Sequence, residues 1–180
     1  MVSPHTHLFW IASRAAGTTA LVLSAAAVGY GLVMSGRLVK GSGPDRRATH
    51  EVLALSTMVA IALHGLLLIG DKYLHPSVLN VLVPFTLSYK ELWTSLGIIS
   101  GWAMTILGLS YYVRGRIGQR RWKLIHRFTL LAWLGGLVHS LGEGTDAGTA
   151  WFLALVILTA LPVAVMLAMR VLGLRPAAAT

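Results

Sequence analysis

Four histidines carry the first chemical signal in this chain: His50 and His64, then His126 and His139. Each pair sits in one apolar run, His50-EVLALSTMVAIAL-His64 and His126-RFTLLAWLGGLV-His139, with separations of 14 and 13 residues. At 1.5 Å per helical residue these are about 21 Å and about 20 Å along an axis. That is about two-thirds of a hydrocarbon core roughly 30 Å thick. Imidazole is costly to leave in lipid and is a good ligand for iron. If the two runs cross in the same direction, the histidines meet as two facing pairs at two depths. Two stacked, bis-histidine-ligated b-type hemes need that arrangement, with His50 and His126 on one iron and His64 and His139 on the other.

Other readings stand beside this one. A histidine in a helical bundle can simply bond to Ser, Thr or backbone carbonyls, and a small transporter could use the four as a proton relay. Gly65 beside His64, and Gly135-Gly136 before His139, would leave room for a flat macrocycle, although glycine is common in membrane helices anyway. Fourteen residues fall about 40° short of whole turns, so His50 and His64 share a helix face. Thirteen fall about 140° short, so His126 and His139 do not line up on a straight helix. Either local distortion at Gly135-Gly136 or hemes rotated relative to each other would reconcile them. Arg14 is the other costly residue, snorkelling to headgroups or pairing with a propionate of the outer heme. Arg46, Arg47, Lys123 and Arg127 are candidate propionate partners for the inner one. His5, His7 and His75 fall outside the apolar runs and read as solvated. Met34, Met58, Met104, Met166 and Met169 read as packing or lipid-facing residues rather than axial ligands.

The elements that must position these groups are membrane helices. The chain is 56% hydrophobic with 12% charged residues and a mean hydropathy of +0.71. Its apolar stretches are continuous rather than alternating, which excludes a transmembrane β-barrel. The expected fold is all-α, a bundle of five spans near residues 8–34, 50–69, 92–113, 122–141 and 149–169 in one domain over residues 1–180. The first run has no basic n-region and is too long for a signal h-region, so it reads as an anchor. Residues 70–91, with Pro76 and Pro84, are too interrupted to span and read as an interfacial lid. Gly97-IIS-Gly101 has the small-xxx-small spacing of closely packed helices. With no cysteine, disulfides and thiolate metal sites are excluded.

The net charge of +9 reads as basic loops, not as a nucleic-acid surface. Arg37, Lys40, Arg46 and Arg47 lie in the first connection and Arg114, Arg116, Arg120, Arg121 and Lys123 in the third. Arg170 and Arg175 end the chain, and the fourth connection, Gly142-EGTDAG, carries no positive charge. An N-terminus outside and a C-terminus in the cytoplasm satisfy this alternation. The second and fourth spans then run in the same direction, with His50 and His126 near the cytoplasmic face. This fits a multi-pass protein of a bacterial cytoplasmic membrane.

On these residues the chain resembles the ferric reductase-like transmembrane domain, the heme core of ferric reductases and NADPH oxidases. The likeness rests on His50-x13-His64 and His126-x12-His139, unequal spacing included, and covers about Phe9 to Arg170. Most similar are the compact bacterial members. The resemblance implies that the first histidine of each pair holds the inner heme b and the second holds the outer. It also implies that the 13-residue spacing tolerates two hemes, and that Arg14, within Ser13-Arg14-Ala15-Ala16, contacts the outer heme. Superoxide-producing members carry a further histidine where this chain has Leu68. The flavin- and NADPH-binding domain of eukaryotic members is not expected, because the sequence ends about ten residues past its last span and has no Gly-rich phosphate loop.

The expectation is therefore a membrane cytochrome b taking electrons from a separate donor, a flavoprotein reductase or a quinol, to an extracytoplasmic acceptor. A heme subunit of a periplasmic methionine sulfoxide reductase-type system is the nearest alternative.

Overall fold

The computed structural model describes residues 7–36 and 42–173. His5, Arg37, Lys40 and Arg175 lie outside the described residues. Five helical stretches are long and apolar enough to cross a membrane: Leu8–Ser35, Gly43–Ile69, Glu91–Ile117, Gln119–Glu143 and Ala150–Val171. All five expected spans are present, with two changes of boundary that matter for the site.

The first is α2, Gly43–Ile69, which follows α1, Leu8–Ser35, and begins seven residues earlier than the apolar run. Ser42 caps it, its hydroxyl accepting from the Asp45 amide at 3.2 Å, and Pro44 sits in the first turn, where its missing N–H costs nothing. Arg46 and Arg47, expected in a loop, are thus helical, and His50 lies about two turns inside α2.

The second concerns the fourth span. The third span is α4, Glu91–Leu109, continued by a 3-10 turn at Ser110–Val113 and the short α5, Arg114–Ile117. Gly118, at φ +89°, ends it. The fourth span is then split into α6, Gln119–His126, and α7, Thr129–Glu143. Between them the amides of Arg127, Phe128 and Leu130 reach carbonyls three residues back at 3.0–3.3 Å. That winding turns about 120° per residue instead of about 100°. It adds rotation in the direction the 13-residue spacing needs. The distortion lies at Arg127–Phe128, whereas Gly135 and Gly136 lie inside the unbroken α7.

The fifth span is α8, Ala150–Val171. α1 packs along α2 and also touches α7 and α8, while α4 packs along α7. The buried core is thin and centred on α1: Leu21 with Phe152 and Val156, and Ala25 with Trp133 and Val163. Large apolar side chains point outward instead, Leu92 at 75% and Leu158 at 72% exposure among them. Such an inside-out surface is stable against lipid and not against water.

Residues 70–91 hold one short helix, α3, Val78–Leu82, opened by a reciprocal cap between Ser77 and Asn80. The segment is pinned to α4 by the Phe85 amide donating to Ser95 Oγ at 2.8 Å and by Trp102 Nε1–H donating to Leu82 O at 2.8 Å. Val78, Leu79 and Leu82 stay exposed, as an interfacial segment requires. Lys90 then crosses to the end of α7, its Nζ donating to the Gly142 and Glu143 carbonyls at 3.1 and 3.3 Å, where a cation offsets the helix dipole.

The small residues of α4 do separate jobs. A β-carbon at Gly101 would stand 3.3 Å from Ile61 Cγ2 on α2. Gly101→Leu should therefore push α4 off α2 and lower stability by about 1–3 kcal/mol. Loss of helical circular dichroism on heating in detergent measures it, and an unchanged transition would contradict this packing.

Candidate functional site

The four histidines come together as two pairs, His50 on α2 with His126 at the end of α6, and His64 on α2 with His139 on α7. The His50 and His126 rings have centroids 6.2 Å apart with planes at 87°. The His64 and His139 rings are 6.4 Å apart at 68°. Both distances lie in the range of about 4.5–7 Å for edge-to-face ring pairs. With a metal–imidazole bond of about 2.0–2.1 Å and about 1.1 Å from ring nitrogen to centroid, opposed imidazoles on one ion have centroids about 6.3 Å apart. Both pairs have the separation that a single six-coordinate iron sets.

The hydrogen bonds decide which nitrogen is free. His64 Nδ1 is 2.8 Å from the Ser13 carbonyl oxygen, and His139 Nδ1 is 2.8 Å from that of Trp93. A carbonyl only accepts, so each Nδ1 carries the proton and each Nε2 keeps its lone pair for a metal. Ser13 adds to the first seat: its hydroxyl donates to His64 O at 2.9 Å and lies 3.0 Å from Nδ1. His126 Nδ1 is 3.4 Å from the Leu107 carbonyl, a weaker contact. His50 Nδ1 is buried without a bond of ordinary geometry, with the Ala27 backbone of α1 as the acceptor in its vicinity. This second layer of bonds is the usual support of a metal-ligating imidazole.

A simple rule places those carbonyls within reach. Side chains on a helix lean toward its N-terminus, so residue n+4 covers the carbonyl of residue n. Four residues after Ser13 stands Gly17, four after Trp93 stands Gly97, and four after Ala27 stands Gly31. A β-carbon at Gly17 would lie 2.9 Å from His64 Nδ1, one at Gly97 2.5 Å from His139 Nδ1, and one at Gly31 3.2 Å from His50 Cε1. The glycines are ring seats. Gly17 and Gly31 are 14 residues apart, the separation of His50 and His64 on the antiparallel α2, a match that was readable in the sequence.

Other expected small residues serve packing. A β-carbon at Gly65 would meet Val81 of α3 at 3.0 Å, and Gly135 lies against Ser100. Of Gly65, Gly135 and Gly136, the last alone has nothing within 4 Å of an added β-carbon. Sequence reasoning missed Ser13, Gly17, Gly31 and Trp122, and Gly97 had been assigned only to helix packing.

A cavity of about 480 Å³ opens beside the first pair, lined by His50, His126, Leu55, Met58, Tyr111 and Trp122, with Arg47, Arg114 and Lys123. Its size falls in the range of roughly 300–1,000 Å³ for cofactor sites. Three cations around an apolar slot suit a macrocycle with carboxylate arms. Arg47 and Lys123 were expected there; Arg46 and Arg127 do not line it.

Arg14 is turned elsewhere. Its guanidinium pairs with Asp146 and lies 4.2 Å over the Trp10 ring, beside a groove between α1 and α8. Its contacts are thus to protein groups rather than to the His64–His139 pair. His7 and His75 are exposed, as expected.

Among the described residues no group of three or more His, Cys, Asp or Glu forms a metal cluster. Two imidazoles alone are too few for a zinc site, whereas a porphyrin supplies the other four nitrogens to iron. The residues present therefore fit a heme at each pair. Comparison with protein-family models, characterised proteins and solved structures found no match.

The seats make a contrast. Alanine normally stabilises a helix over glycine by about 0.5–1 kcal/mol. Gly136→Ala should show that gain, while Gly17→Ala and Gly97→Ala should instead destabilise, because the rings have no room to yield. Thermal unfolding in detergent reads the sign; stabilisation by all three would remove the seats from the argument.

Proposed function

We propose that this chain is a membrane b-type cytochrome that moves electrons across the bilayer through two bis-histidine hemes to an extracytoplasmic acceptor. The observation that carries the reading is the pair of ring separations, 6.2 and 6.4 Å, at two depths. Bound there, iron porphyrin would supply one-electron chemistry by cycling between ferric and ferrous states. The chain's residues do the rest. His50 with His126, and His64 with His139, would each hold one iron, supplying an imidazole from either side. The Ser13 and Trp93 carbonyls fix the tautomer and orientation of the second pair. Arg47, Arg114 and Lys123 provide countercharge at the first, and the apolar helices keep water away.

Direction follows from the loops. Arg114, Arg116, Arg120, Arg121 and Lys123 gather at the end where Arg170 also reaches Ser35. The opposite end holds Asp71, Glu91, Glu143 and Asp146. By the positive-inside rule the His50–His126 pair faces the cytoplasm of a bacterial membrane, with the N-terminus outside. A separate flavoprotein or a quinol is the donor in this scheme, and the likeness to ferric reductase-like domains supports a ferric chelate or a partner reductase as acceptor. A heme subunit of a periplasmic methionine sulfoxide reductase-type system is the alternative reading of the same two pairs. A proton relay is disfavoured because the titratable side chains between the histidines, Glu51 and Arg127, adjoin the first pair directly and none occurs at residues 52–63 or 128–138.

Protein purified from heme-replete cells should give cytochrome b bands in a reduced-minus-oxidised spectrum and two hemes per chain by pyridine hemochrome. His64→Ala and His139→Ala should each remove about half of the heme, since one ligand of one pair is gone. Colourless protein would end the proposal. Because the chain has no cysteine, Gly115→Cys and Gly148→Cys, both in open space, can report orientation. An impermeant maleimide on intact cells should label position 148 and spare 115; the reverse pattern would invert the scheme.

A further inference from the structure

His126 is held differently from the other histidines. Its Nδ1 contact is the long one, 3.4 Å to Leu107, and the residue four beyond that carbonyl is Tyr111, not glycine. The ring cannot settle onto the neighbouring helix as His64 and His139 do. It also sits just before the 3-10 turn at Arg127–Phe128, where the helix changes its winding. What lies flat against it is Trp122, with centroids 5.0 Å apart and planes at 24°. Four residues separate the two, so one helix face carries both.

Trp122 is itself fixed on two sides. Its indole N–H donates to Ser110 Oγ at 3.0 Å, and its ring meets Tyr111 edge-on at 5.9 Å. Tyr111 in turn lies under the Arg114 guanidinium at 3.8 Å, while Arg114 Nη1 donates to the Tyr111 carbonyl at 2.7 Å. The clamp is complete before the imidazole is reached.

We propose that Trp122 is the positioning residue for His126, its stacked indole replacing the carbonyl seat that orients His64 and His139 and holding the ring at 87° to His50. The inference rests on the cytochrome reading and deepens it, making the two heme sites unequal in how their ligands are held. The mutual angle of two axial imidazoles governs the anisotropy of low-spin ferric iron, so the effect is visible without any turnover.

The experiment compares the full-length wild type, Trp122→Leu, Trp122→Phe and Ser110→Ala by electron paramagnetic resonance of the oxidised protein. Wild type should give two strongly anisotropic low-spin signals. In Trp122→Leu one signal should lose anisotropy or turn high-spin while the other stays, serving as an internal control for folding. Trp122→Phe, which keeps a stacked ring, should restore it. Ser110→Ala, which removes only the indole's hydrogen-bond partner, should broaden the same signal and covers the case in which Trp122→Leu fails to fold. Two unchanged signals in Trp122→Leu, or in Ser110→Ala where the former does not fold, would overturn the proposal and leave the cytochrome reading standing. A wild type without heme would overturn that reading itself.

Discussion

The structure depends on one interaction above the others, an imidazole N–H donated to a backbone carbonyl of the neighbouring helix. In lipid an unsatisfied N–H costs several kcal/mol, and no water is present to take it. Helix carbonyls already bond to the amide four residues on, yet each keeps a second lone pair. Reaching that lone pair requires the ring to lie against the backbone, which only a glycine at n+4 permits. His64 on Ser13 and His139 on Trp93 meet that condition. The bond then does two things together: it satisfies the polar group and points Nε2 away from its support, toward the facing helix.

From this the architecture follows as two repeated units. In each, a seat helix precedes an antiparallel histidine helix in the chain, α1 before α2 and α4 before α7. These are the closely packed pairs. The two histidine helices face each other across a gap, and the tight packing lies behind the rings rather than between them. The four rings are half-buried, and the buried core, centred on α1, is thin.

Much of this was legible in the sequence because the signals were periodic and local. Continuous apolar runs marked five spans, and the histidine positions marked two depths. The 13-residue spacing was recognised as geometrically awkward, but its remedy was sought at Gly135-Gly136 or in hemes rotated relative to each other. The chain distorts at Arg127–Phe128, which contains no glycine or proline to betray it; the signal there is a change in hydrogen-bond pattern that only coordinates carry. Arg14 was hidden for another reason. Its membrane depth was readable, but its azimuth around α1 was not, and Asp146 arrives from a connection 132 residues later. The seats were legible in principle, since Gly17 and Gly31 echo the spacing of His50 and His64, but a pairing between antiparallel helices requires knowing that they touch.

The unequal support of the two pairs bears on how such a protein can be asymmetric while its ligands are identical. A strong Nδ1–H bond to a carbonyl makes an imidazole a more basic ligand. His64 and His139 both have one at 2.8 Å, His126 has one stretched to 3.4 Å, and His50 has none of ordinary geometry. The first pair lacks that support and lies instead beside Arg47, Glu51, Arg114 and Lys123. The difference between the two ends is thus written in backbone carbonyls, glycines and loop charges rather than in the ligands themselves. Exchanging one histidine for another along the chain would not transfer it; the seat would have to move with the ring.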